Sequence, residues 1–322
     1  MIKKAIISGA GGFLGSRLSE ALVNHGIFVY ALDCTFQHNE TSSTTSAVSS
    51  GADNISSSNK LLRRYKCDLE KNILPSDHDL HNADILFHFA WDGSHPDHRN
   101  DYELQIKNIS SLLNILSFAK RANVNKTIIP GSAGEYAASR MPITGGNTPG
   151  AVDAYGAVKS ACHVISQAWS KQNNLPLIWV VPSSVYGPGR NDNNALTYAI
   201  KTLLKGEKPS FTALEQKWDY IYIDDFIEAF FLLAQKGIAG KNYALGCGAS
   251  KKLLDYITLI RDLINPDLQL GIGEKPYKYG KPDNSEIDIF ELQNDTGFTA
   301  KVTFEEGIRK TIKWYSDNYD NI

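Results

Sequence analysis

The chain has 322 residues, 42% of them hydrophobic, and a net charge of −2. That length allows one large domain, or one and a half, and nothing in the near-neutral charge suggests a nucleic-acid or membrane surface. No apolar run approaches the roughly 20 residues of a membrane span, the N-terminus opens a strand instead of a signal peptide, and Cys34, Cys67, Cys162 and Cys247 lie far apart, in neither a metal nor a disulfide pattern, so a cytoplasmic protein without a metal site is expected.

Lys4-Ala5-Ile6-Ile7-Ser8 reads as a short apolar strand, followed at once by Gly9-Ala10-Gly11-Gly12-Phe13-Leu14-Gly15. A helical pattern through Leu18, Leu22 and Val23 closes near Gly26, and Phe28-Val29-Tyr30-Ala31-Leu32 forms a second strand ending at Asp33. Glycines at 9, 12 and 15 let the backbone turn tightly, approach a pyrophosphate and pack helix on sheet, while the helix N-terminus faces the phosphates. A glycine triad alone is weak; one that follows a strand, opens a helix and has an acid at the end of the next strand predicts a dinucleotide site. Asp33 would accept hydrogen bonds from the adenosine ribose and repel a 2′-phosphate, which favours NAD over NADP.

Residues 36–60 break the rhythm with Thr41-Ser42-Ser43-Thr44-Thr45-Ser46 and Ser56-Ser57-Ser58, a polar surface insertion with no expected chemistry. The alternation then resumes with a strand from Leu62 to Cys67, a buried strand over Ile85-Leu86-Phe87-His88-Phe89-Ala90, a helix over about 101–122, and the strand Lys126-Thr127-Ile128-Ile129-Pro130. Parallel strands separated by helices place ligands at their carboxyl ends, and Ser132 occupies such an end. Further on, Tyr155 and Lys159 stand four residues apart on one helix face. A lysine there is expected to lower the phenol's pKa and make Tyr155 a general base. The second half shows helical patterns near 195–204, 226–235 and 253–264, a short strand Asn242-Tyr243-Ala244-Leu245, a Pro- and Gly-rich loop from Ile272 to Asp283, and a charged last helix with Trp314 and Tyr315. Its Lys, Arg and aromatic residues form no stripe for nucleic acid.

With Gly9, Gly12 and Gly15, Asp33, the Ser132 turn and Tyr155-x-x-x-Lys159 in this order, the chain resembles the extended short-chain dehydrogenase/reductases, in particular the nucleotide-sugar epimerase, dehydratase and ketoreductase branch. His88-Phe89-Ala90 resembles the strand end lining the cofactor, Asp68-Leu69 the adenine-contacting pair, and Val185-Tyr186-Gly187-Pro188-Gly189 the turn after the sixth strand. Asp219 to Asp225 and Phe304-Glu305-Glu306-Gly307-Ile308 match later family segments. The resemblance implies a doubly wound α/β fold, with a dinucleotide-binding domain over 1–182, a substrate lobe mainly over 183–322, and interleaved boundaries. It implies that Ser132, Tyr155 and Lys159 are catalytic, with Asn108 supporting their proton network. The cofactor would be held by Gly9, Gly11, Gly12, Phe13, Leu14, Gly15, Asp33, Asp68, Leu69, Phe89, Ala90, Tyr155, Lys159 and Pro182. A nucleotide-diphosphate sugar would meet Trp91, Ser132, Ala133, Arg190 and Trp218, and the helices near 101–122 and 153–172 would pack in a homodimer.

The departures from the family pattern narrow the reaction. The 4,6-dehydratases carry Asp-Glu directly after the catalytic hydroxyl; this chain has Ala133-Gly134, and Glu135, one residue later, is expected to point elsewhere. Many relatives carry Arg before the acid matching Asp219 and Arg-Pro at the end of the sixth strand, where this chain has Trp218 and Val181-Pro182. The diphosphate must find another cation, with Arg190, Lys205 and Lys217 as candidates, while Trp218 either stacks on a base or packs against Tyr220. The leading expectation is an NAD-dependent nucleotide-sugar 4-epimerase; the alternative is an NAD(P)H-dependent reductase of a nucleotide-linked 4-keto-6-deoxyhexose. A non-catalytic NAD sensor is disfavoured by the intact Ser132, Tyr155 and Lys159.

Overall fold

The computed structural model describes residues 1–36, 60–76, 80–139, 141–190, 192–277 and 286–318. The serine-rich stretch lies outside the described residues over 37–59, as does the end of the Pro- and Gly-rich loop over 278–285.

Strands β1 (Lys4–Ser8), β2 (Phe28–Asp33), β3 (Leu62–Lys66), β4 (Ile85–His88), β5 (Thr127–Pro130), β6 (Leu177–Pro182) and β10 (Asn242–Leu245) form one seven-stranded sheet in the order β10-β6-β5-β4-β1-β2-β3. Every pairing in it is parallel. Parallel strands are covered on both faces, so they read as apolar runs; all four residues of β4 are buried, and Ile6, Ile7, Phe87, Ile128, Trp179 and Val180 fill the centre. From β1 the chain winds outward to β3, then returns to β4 and winds the other way. Right-handed crossovers therefore set α1 (Phe13–Asn24) on one face, and α2 (Tyr102–Arg121) and α3 (Ala154–Asn173) on the other. The reversal between β1 and β4 opens a crevice at the strands' carboxyl ends, the usual ligand position of such sheets.

Local chemistry sets the helix starts. Asp101 caps α2 by accepting the Leu104 N–H at 3.0 Å, and Asp153 caps α3 by accepting that of Gly156 at 2.7 Å. That second cap fixes where Tyr155 begins the helix.

The second half adds β7 (Ser184–Tyr186) paired in parallel with β9 (Tyr220–Tyr222), β8 (Lys217–Trp218) paired antiparallel with β11 (Lys251–Lys252), and α5 (Ile223–Lys236), which packs on α1. Helices α4 (Ala195–Leu204), α6 (Leu253–Ile264) and α8 (Phe304–Asp317) pack on one another, and α7 (Phe290–Thr296) packs on α5 and β10. Because β10 completes the main sheet, the second half is woven into the first. Among the described residues, no helix is long and apolar enough to cross a membrane.

Candidate active site

The glycine turn is built by close approach. Gly9 takes φ +76°, and a Cβ on it would collide with the Ala90 backbone nitrogen just past β4; one on Gly15 would collide with the Gly9 carbonyl oxygen. Gly12 begins α1 without a side-chain cap, and the helix has no acid in its first turn, so its first N–H groups are left to an anion. The Asp33 carboxylate is pinned beside this turn: Oδ2 accepts the Gly11 N–H at 2.9 Å, and Oδ1 accepts the Thr35 N–H at 2.9 Å and its hydroxyl at 2.7 Å. One lone pair on Oδ2 stays open to a ribose hydroxyl. An uncapped helix start, a turn with no room for a Cβ at Gly9 or Gly15 and a fixed strand-end carboxylate fit the pyrophosphate and ribose of a dinucleotide.

Of the other residues expected around a cofactor, Phe13 and Leu14 open α1, and Phe89 packs on Phe226 and Phe230 while its N–H reaches the Ser8 carbonyl. Leu69 is buried, and Asp68 pairs with Lys71 at 2.8 Å, which holds its carboxyl below the usual range. Pro182 ends β6 at the same edge of the sheet.

Tyr155 and Lys159 are both buried on α3, and Ser132 caps the short 3-10 turn Ala133–Tyr136 after β5. The Ser132 hydroxyl accepts the Gly134 N–H at 3.0 Å and is among the groups that pull the Tyr155 pKa down. Trp91 stands edge-on to the Tyr155 ring at 5.7 Å, and Lys159 Nζ lies 3.7 Å over the Trp91 ring while donating to the Pro130 carbonyl at 3.0 Å. Burial pushes the Lys159 ammonium down to about 8. The expectation that Lys159 lowers the Tyr155 pKa is corrected: burial holds the phenol above its ordinary value, and the main groups pulling it back are Ser132 and Arg99, whose guanidinium lies 4.7 Å from the ring centre. Asn108 is buried and grips the Asp92 backbone through both amide atoms, at 2.8 and 3.0 Å, which fixes the loop after Trp91.

Sequence reasoning set Glu135 aside, and it proves central to the turn. It is fully buried. Its Oε1 accepts the Ser132 N–H at 2.7 Å and the Trp179 indole N–H at 3.3 Å, and Oε2 meets His163 Nδ1 at 3.2 Å. His163 stacks on Trp179 with centroids 4.7 Å apart. A detectable signal was present: His163 continues the Tyr155 and Lys159 face at the next i+4 step. Since Glu135 is turned inward, no carboxyl side chain follows Ser132 into the crevice.

Two of the three residues expected around the diphosphate are otherwise engaged. Arg190 forms a two-point ion pair with Asp192, at 2.9 and 2.6 Å, and donates to the Val185 carbonyl. Lys217 pairs with Glu286 at 2.6 Å, and Lys205 sits exposed just after α4. The half-buried Trp218 donates its indole N–H to Ser184 Oγ at 2.8 Å, and Asp219 is buried beneath the Cys247 and Gly248 N–H groups at 2.9 and 3.1 Å. Ala133 is half-buried beside Ser132.

Comparison with known proteins follows the same outline. The model of the NAD dependent epimerase/dehydratase family matches residues 5–246. The chain is 26% identical over 178 residues to dTDP-glucose 4,6-dehydratase of Haemophilus influenzae, a match covering 51% of this chain and 52% of that one. The chain thus spans about half the length of the dehydratases it matches. Many solved structures resemble it end to end, two of them as follows. A UDP-N-acetylglucosamine 4-epimerase from Methanobrevibacter ruminantium M1 superposes with a TM-score of 0.85 at 22% identity, covering 98% of this chain and 99% of that one. A UDP-glucuronic acid 4-epimerase from Bacillus cereus, in complex with UDP-glucuronic acid and NAD, gives 0.85 at 21% identity, covering 98% and 100%. At such identities the likeness is one of fold.

Proposed function

The chain belongs to the NAD dependent epimerase/dehydratase family, and from that premise we propose that it is a nucleotide-sugar 4-epimerase, inverting the hydroxyl at C4 of the hexose. One observation carries the reading: Ser132 and the Tyr155 ring both border Gly134 at the sheet's carboxyl edge, while the only carboxyl side chain of the adjoining turn, Glu135, is withdrawn into the core. A phenol that can exchange a proton with a substrate hydroxyl is in place, and a carboxyl group to expel water beside it is not.

NAD, held at the Gly9–Gly15 turn and Asp33 with Phe13, Leu14, Asp68, Leu69, Phe89, Ala90 and Pro182 around it, supplies the hydride chemistry at C4. Tyr155 takes the proton of the C4 hydroxyl and later returns one, and Ser132 hydrogen-bonds the same oxygen. Lys159 holds the nicotinamide ribose. Trp91 and Ala133 border the sugar, and Trp218 stands on the side of the nucleotide, in a substrate lobe formed mainly by residues after 182. Two copies pair through α2 and α3, which together expose Tyr102, Ile106, Leu113 and Val164.

The test is to incubate the purified enzyme, with no cofactor added, with UDP-, GDP-, CDP- and dTDP-hexoses and to read products by NMR. A new C4 epimer is the expected result. Silence there, with NAD(P)H consumed once a nucleotide-linked 4-keto-6-deoxyhexose is supplied, makes the enzyme a 4-ketoreductase instead.

A further inference from the structure

Buried polar atoms in folded proteins are nearly always paired, so an orphan calls for an explanation. Among the described residues, three side-chain polar atoms are buried without a hydrogen-bond partner: Arg99 Nε, Thr127 Oγ1 and Ser183 Oγ. Thr127 begins β5, at the amino edge of the sheet. Arg99 is different in kind. It carries a full charge, and it lies on the loop between β4 and α2 that runs along the candidate site.

That loop is fastened to the reacting residues. The Arg99 carbonyl accepts the Tyr155 N–H at 2.9 Å, and the Arg99 guanidinium carbon stands 4.7 Å from the centre of the Tyr155 ring. Among the described residues, the guanidinium makes no ion pair and donates no hydrogen bond. Other candidate cations differ: Lys159 is held by Pro130 and Trp91, Arg190 by Asp192, and Lys217 by Glu286. The two positions where relatives bring an arginine to the substrate diphosphate hold Trp218 and Val181 here. A half-buried arginine fork with an unpaired N–H, next to a residue that touches the sugar, is matched best by an oxyanion, which it can bind at two points.

We propose that Arg99 is the residue that receives an anionic group of the nucleotide-sugar substrate. The inference rests on the nucleotide-sugar reading given above. Two groups share the required chemistry: the diphosphate at C1, and a carboxylate at C6. The second is bonded to C5, next to the carbon whose oxygen meets Tyr155, so it lies closer to Arg99 than a C1 substituent across the ring.

The test is calorimetric binding to the NAD-loaded enzyme at fixed ionic strength, comparing wild type with Arg99→Met, which keeps the length and removes the charge, and with Arg99→Lys. The ligands are UDP, dTDP, UDP-glucose and UDP-glucuronate. Arg99→Met is expected to weaken binding at least tenfold, the effect of losing a charge-assisted hydrogen bond. Arg99→Lys, a point charge without the fork, is expected to recover part of it. Equal weakening of UDP or dTDP and of the sugar nucleotides assigns Arg99 to the diphosphate; weakening of UDP-glucuronate alone assigns it to a sugar carboxylate. Unchanged affinity for all four ligands overturns the proposal, whether or not turnover falls, because Arg99 would then act only on Tyr155. Binding of none of them by the wild type overturns it as well. Because affinity is read separately, an enzyme that fails to invert C4 leaves the Arg99 result intact and removes only the epimerase reading.

Discussion

Glu135, buried and one turn past the end of β5, accepts the Ser132 backbone N–H at 2.7 Å, so the backbone that carries the Ser132 hydroxyl is set from inside the core. His163 and Trp179 hold the same carboxylate from α3 and β6, which ties the turn to the helix that carries Tyr155. Placement of this kind is worth orders of magnitude in rate, since a shift of about 1 Å can cost roughly 100-fold. Glu135→Ala should therefore lower kcat by about 100-fold and leave the NAD dissociation constant within about twofold. Glu135→Gln keeps the acceptor for Ser132 and Trp179 and should restore most of the rate. A loss of kcat and of NAD affinity in parallel in the alanine variant would mean general collapse of the sheet edge instead.

Lys159 carries a stability cost that can be read from pH. Burial sets its folded-state pKa at about 8, below the ordinary 10.5 of a lysine in an unfolded chain. The unfolded chain therefore binds the proton more tightly. The cost is full below pH 8 and is relieved as the pH rises from about 8 toward 10.5. Its upper bound is roughly 3 kcal/mol, offset in part by the bond to Pro130 and the Trp91 contact. Lys159→Met should abolish turnover and raise the thermal midpoint at pH 7 by roughly 2–4 °C, with a smaller gain at pH 9.5. An equal gain at both pH values would show that the ammonium is not strained by its site.

Most of the frame was legible because its signals are local. The order of apolar strands, the strand–glycine–helix sequence ending at Asp33, and the i, i+4 pair of Tyr155 and Lys159 are all short-range patterns, and each lands at the sheet's carboxyl edge. What could not be read depends on long-range neighbours. Whether Trp218 stacks on a base or donates to Ser184, and whether Glu135 points outward or toward Trp179, is decided by elements distant in sequence. The Tyr155 pKa failed for a related reason: spacing gives a nearby lysine, but it does not give the burial that outweighs it.

The glycine turn separates folding from cofactor binding. A Cβ on Gly12 would find its nearest neighbour, the Gly9 carbonyl oxygen, at 3.4 Å, an ordinary contact, whereas one on Gly15 would collide with that same oxygen. Gly12→Ala should keep the wild-type thermal midpoint within about 2 °C yet weaken NAD at least tenfold, because the backbone approach to the pyrophosphate is lost. Gly15→Ala should lose both, with destabilisation of about 1–3 kcal/mol from forced backbone movement. Wild-type NAD affinity in Gly12→Ala would place the pyrophosphate away from this turn.

The exposed side of α2 and α3 gives the last prediction. Tyr102, Ile106 and Leu113 fall at spacings of four and seven along α2, one face of the helix, and Ile106 is 53% exposed. Val164 on the neighbouring α3 is 62% exposed. Apolar side chains clustered on two packed helices mark a contact face, and a two-fold axis lets the same face serve both copies. Light scattering of the wild type at micromolar concentration should then give twice the 35.6 kDa of one chain. Ile106→Glu with Val164→Glu places four like charges at such an interface and should give the single-chain mass, with the circular dichroism of the sheet unchanged. A wild type already at 35.6 kDa would leave this face without a partner copy. A charged double variant that stays dimeric would move the interface elsewhere on the surface.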